Sequence, residues 1–129
     1  MLKSVVVLLV EDEIAITPIL QEALEEGGYS VETASDAAQA IAMIETEGAA
    51  YKALITDVNL RSKVTGWDLA RRARELTPDV PVVYMTGGSE HEWTANGVPY
   101  SILLTKPFVP AQLLTAVSQL LNVGGVSPG

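Results

Sequence analysis

Three carboxylates, a hydroxyl and an amine close four separate apolar runs. Glu11 and Asp12 follow VVVLLV, Asp57 follows ALIT, Thr86 follows VVYM, and Lys106 follows ILLT with Pro107 directly behind. Residue types of this kind, brought to one place, suit phosphoryl transfer. Grouped carboxylates repel one another, and a hard divalent cation with oxygen ligands relieves that repulsion. Mg2+ fits best, because it uses one or two protein carboxylates, keeps waters and completes its shell with phosphate oxygen. A carboxylate can also be the nucleophile, forming an aspartyl-phosphate, and Asp57 is the candidate. Lys106 supplies a point charge and Thr86 a hydroxyl donor for the transferring oxygens. Each residue alone has a plainer account: Asp12 as a helix cap, Asp57 and Thr86 as turn formers, Lys106 as a solvated cation. The signal is their shared position at strand ends.

The elements that must position them alternate between strand and helix patterns. Strands are expected at residues 4–10, 29–33, 53–56, 82–85 and 101–104, the first apolar throughout like a central strand and the second alternating like an edge strand. The first helix is expected to begin near Glu13 or Ile14, with Pro18 close to its first turn, and to bury Ile16, Ile19, Leu20, Ala23 and Leu24 before Gly27 and Gly28 stop it. A second helix starts from a Ser35 or Asp36 cap and ends at Gly48. The third starts near Gly66, buries Leu69, Ala70, Ala73 and Leu76, and presents Arg71, Arg72 and Arg74 to solvent. The stretch GGSEHEWTANG has no apolar stripe, so its helix is short or irregular and weakly held. A last helix after Pro110 buries Leu113, Leu114, Val117 and Leu121. This pattern predicts a doubly wound α/β fold with a five-stranded parallel sheet in the order 2-1-3-4-5. In such a sheet the carboxyl ends of the strands share one rim, with the switch point between the strands ending at Asp12 and Asp57.

At 129 residues and 48% hydrophobic content the chain is read as one domain, residues 1–123, with a flexible tail at 124–129. The net charge of −8 and a pI near 4.5 disfavour direct nucleic-acid binding. The first apolar run is too short to insert in a membrane and ends on acids, and there is no cysteine, so a cytoplasmic location is expected. His91 reads as an exposed loop residue, and Trp67 and Trp93 as packing residues.

The segments LLVEDE, ITDVNL, MTGG and LLTKPF together resemble the receiver domain of two-component response regulators, over roughly residues 4–122. The resemblance implies a flavodoxin-like receiver fold in which Asp57 accepts a phosphoryl group from a sensor histidine kinase or a histidine phosphotransfer protein. Asp12 would ligate Mg2+ directly, Glu11 through water, and Asn59 by its backbone carbonyl, while Thr86 and Lys106 would grip the phosphoryl oxygens. Such a chain catalyses its own phosphorylation and dephosphorylation, and switches the binding of an output protein. The resemblance also implies a cis Lys106-Pro107 bond. Three departures stand out: in the loop after Asp57, Arg61 takes the place of a proline and Gly66 comes one residue late; Leu103 takes the place of an aromatic; and the segment between Thr86 and Lys106 is slightly shorter than in chemotaxis-type receivers, which bears on the usual fourth helix. They leave a rival reading, a degenerate receiver that docks partners without phosphorylation.

Overall fold

The computed structural model describes residues 5–125, with side chains as far as residue 122. Five parallel strands, β1 (Val5–Val10), β2 (Tyr29–Ala34), β3 (Tyr51–Asp57), β4 (Val82–Thr86) and β5 (Ser101–Thr105), form one sheet in the order β2-β1-β3-β4-β5. Five helices accompany them: α1 (Thr17–Glu26), α2 (Ala37–Glu47), α3 (Gly66–Leu76), α4 (Trp93–Asn96) and α5 (Pro110–Gly125).

The apolar β1 run follows from burial on both sheet faces. Successive strand residues point to opposite sides, so Leu8 and Val10 join Leu54, Val82 and Tyr84 in a core with α2 and α3. Val7 and Leu9 join Ala53, Ile55, Val83 and Met85 in a second core with α1 and α5. Each face alone buries only half of β1; the two helical layers together exclude water from Val7 through Val10.

Local signals set the helix starts. Asp36 caps α2 by accepting from the Gln39 N–H at 2.7 Å. Thr65 and Asp68 form a reciprocal capping box at the start of α3. Gly28 ends the α1 segment with φ +101°, a backbone region that glycine enters without steric cost.

Several sequence expectations need correction. α1 starts at Thr17, because residues 14–16 form a turn and Pro18 sits at its head, where a missing N–H costs least. Ile19 is 55% exposed rather than buried, because α1 rests on the sheet through Leu20 and Leu24 and leaves Ile19 on its outer side. Leu76, in the last residue of α3, is 42% exposed. Arg74 turns inward and donates to the Val80 carbonyl at 2.7 Å instead of facing solvent. α5 continues through Gly124 to Gly125, so the tail boundary drawn after residue 123 falls inside a helix. The rest of that tail, like Ser4 in the expected first strand, lies outside the described residues.

The fourth helix is a single four-residue turn behind the 3-10 turn Glu90–Glu92. Polar contacts hold this stretch: Trp93 Nε1 donates to Ser101 Oγ at 3.0 Å, Arg71 donates to Asn96 Oδ1 at 2.9 Å, and the Val98 N–H donates to the Tyr84 hydroxyl at 3.1 Å. Trp67 packs on Tyr84 with ring centroids 4.5 Å apart.

Candidate functional site

The strand order brings the carboxyl ends of β1 and β3 side by side, with Val10 opposite Thr56. Glu11, Asp12 and Asp57 therefore meet, and carboxylate oxygens from all three lie within 4.8 Å of one another. Lys106 arrives from the end of β5, where its backbone N–H donates to the Thr86 carbonyl at 2.7 Å and a cis bond leads into Pro107. Its Nζ lies 2.8 Å from Asp57 Oδ1 and 3.4 Å from Glu11 Oε1.

Burial sharpens the electrostatics. Glu11 is almost fully enclosed, and its pKa rises from 4.5 to about 7, first through desolvation and then through hydrogen bonding with Asp57; the backbone N–H of Glu13 and the Lys106 charge pull the other way. Burial also works to lower the Lys106 pKa, but the hydrogen bond and charge of Asp57 outweigh it, and the net direction is upward. Lys106 is thus a fixed cation, 26% exposed.

The plainer accounts of Asp12 and Asp57 do not describe this geometry. Asp12 is not the α1 cap; that position is Ile16, with no side-chain cap bond. Asp57 is buried and paired. Thr86 does act as a turn former: its Oγ1 accepts the N–H groups of Gly88 and Ser89 at 3.2 and 2.8 Å. That leaves its own proton as a donor. Asn59 lies two residues beyond Asp57 in an exposed loop, where its Oδ1 accepts the Arg61 N–H at 3.1 Å.

The donor set suits a hard divalent cation: three oxygen-bearing acids, with Asp12 Oδ2 buried and lacking any hydrogen-bond partner. An orphaned buried oxygen is costly unless something cationic approaches it.

Two residues that the sequence marks as departures in the loop after Asp57 also contribute to the site. Arg61 places Nε 3.2 Å from Asp12 Oδ2, and nothing in the local pattern marks that pairing. Gly66 lies against the nucleophile's own backbone: an added Cβ would stand 2.2 Å from the Asp57 carbonyl oxygen. Its N–H donates to the Val58 carbonyl at 2.8 Å. The T-x-x-D pattern of Thr65 and Asp68 was the available signal for a helix docked there.

Comparison with known proteins agrees with this geometry. A receiver protein from Sinorhizobium medicae, solved as a crystal structure, superposes with a TM-score of 0.89 and is 43% identical, covering 95% of this chain and 98% of that one. The sensor kinase CckA of Brucella abortus is 32% identical over 122 residues, 92% of this chain but 13% of that protein. The alkaline phosphatase synthesis transcriptional regulatory protein PhoP of Bacillus subtilis is 32% identical over 118 residues, 90% of this chain and 48% of its own. The chain thus spans about half, or less, of these curated relatives' length. Residues 7–118 match the family described as the response regulator receiver domain. With the sheet order, the acidic rim and this match in agreement, the chain belongs to the response regulator receiver domains of two-component systems.

Proposed function

We propose that this receiver takes a phosphoryl group onto Asp57 from a phosphohistidine, in the presence of Mg2+, and that the modified form changes its binding of an output partner. The observation that carries the reading is the 2.8 Å pair between Asp57 and Lys106 inside a three-carboxylate cluster. Glu11, Asp12 and Asp57, with the Asn59 carbonyl, are the groups that would hold the metal. Bound there, Mg2+ supplies charge neutralisation to the transferring phosphoryl oxygens.

An Asp57 carboxylate oxygen attacks phosphorus, an O–P bond forms as the imidazole N–P bond breaks, and the imidazole nitrogen keeps the electron pair. Lys106 orients Asp57 beforehand and meets the phosphoryl charge afterwards. Thr86 offers its hydroxyl proton to a phosphoryl oxygen. A sensor histidine kinase or a histidine phosphotransfer protein is the donor of matching chemistry. A cytoplasmic location suits that partner, and among the described residues no helix is long and apolar enough to cross a membrane.

Phosphate-affinity electrophoresis after acetyl phosphate treatment tests the reading. Wild type should shift in Mg2+ and not in excess EDTA, and Asp57→Asn and Asp12→Ala should not shift. A shift of Asp57→Asn equal to wild type would refute the acceptor. Absence of any shift in wild type would favour the phosphorylation-independent docking alternative.

A further inference from the structure

Two cations divide the three carboxylates. Lys106 serves Asp57 and Glu11, whereas Asp12 faces Arg61. The Arg61 Nε lies 3.2 Å from Asp12 Oδ2 but is not aligned for a hydrogen bond, so that buried oxygen keeps an opposite charge beside it and no directed partner. The Arg61 side chain is 75% exposed and the Asp12 side chain 14%. A largely exposed cation thus lies over a nearly buried anion.

The backbone commits Arg61 to this position. Its φ is +54°, a left-handed conformation unusual for a residue with a Cβ, and Asn59 Oδ1 fixes the turn by accepting its N–H. The turn begins two residues beyond Asp57.

We infer that Arg61 is a built-in competitor for the divalent cation: it neutralises Asp12 in the metal-free protein and must leave before Asp12 can serve as a ligand. This rests on the metal reading above. A cation bound at Asp12 would meet guanidinium repulsion at close range until the side chain swings into solvent, which its exposure permits. Because the pair lacks a directed hydrogen bond, displacement breaks no strong contact. Arg61 therefore tunes metal affinity without being a ligand.

Isothermal titration with MgCl2 tests this on wild type, Arg61→Gln and Arg71→Gln. The last makes the same charge change on α3, where Arg71 pairs with Asp68 instead. Arg61→Gln should bind Mg2+ about two- to fivefold more tightly than Arg71→Gln, the range an exposed ion pair supplies. The difference should shrink as added salt shortens the Debye length toward roughly 3 Å. Melting curves add a second reading. Arg61→Gln should melt below wild type in EDTA and lose that deficit in saturating Mg2+, whereas a purely structural role in the turn would leave it equal in both. Equal or weaker Mg2+ affinity in Arg61→Gln overturns the role of Arg61 and leaves the metal reading standing. No Mg2+ binding in any of the three proteins overturns both.

Discussion

Lys106 Nζ lies 2.8 Å from Asp57 Oδ1, although 49 positions separate the two residues in the chain. One ammonium, held at the end of β5, compensates the carboxylate at the end of β3 and reaches Glu11 as well. Replacing Lys106 by Met should cost about 1.5–3 kcal/mol of stability in EDTA, because it removes a charged hydrogen bond and leaves buried carboxylates uncompensated. Mg2+ should restore more stability to this variant than to wild type. Urea denaturation with and without Mg2+ measures both; an unchanged midpoint in EDTA would contradict the pairing.

Glu11 gives the metal-free protein a pH dependence of known sign. Its pKa is 4.5 ordinarily and about 7 when folded, so between those values the native state binds more protons than the unfolded chain. Stability contributed by the protonated carboxyl is complete below about pH 4.5 and is lost as pH rises toward 7. Glu11→Gln should flatten the change over that window in EDTA. Thermal melts across the window are the measurement, and identical slopes for the two proteins would refute the assignment.

Gly66→Ala should be severely disruptive for its size. The added methyl would lie 2.2 Å from the Asp57 carbonyl oxygen and 2.9 Å from the Val58 Cα, both of them backbone atoms that cannot rotate away. Overpacking of this kind costs about 1–3 kcal/mol, or moves the backbone. Chemical denaturation should show the loss, and phosphorylation of Asp57 should fall with it. An alanine variant with wild-type stability and labelling would show that α3 can slide outward freely.

Thr86 links the site to residues 87–97. Its Oγ1 holds the Gly88 and Ser89 N–H groups, so drawing the hydroxyl toward a phosphoryl group strains or releases that turn. Leu103, half-buried against the α2–α3 core, offers no ring to rotate. Amide hydrogen exchange with a beryllofluoride phosphoryl mimic should therefore change over residues 87–97, the segment whose α4 is a single turn. Identical exchange there in both states, with changes elsewhere, would send the signal out by another surface.

The strands and their acidic ends were legible in the sequence because they depend on local regularities, whereas the strand order was expected only as the common arrangement for five such strands. Continuous apolar runs mark strands buried on both faces, as Val7 through Val10 are, and a parallel sheet puts every run's carboxyl end on one edge. Asp57, Thr86 and Lys106 could be read from position alone for that reason. What position could not supply was distance and direction. The inward turn of Arg74, the exposure of Ile19 and the late start of α1 depend on how helices rest on the sheet. Likewise, Arg61 stands four residues beyond Asp57, yet it answers Asp12 across the gap between two strands, through a left-handed turn that no sequence period encodes. Electrostatic partners in a folded chain are chosen by spatial proximity, and Coulomb attraction takes no account of the path the backbone followed to bring them together.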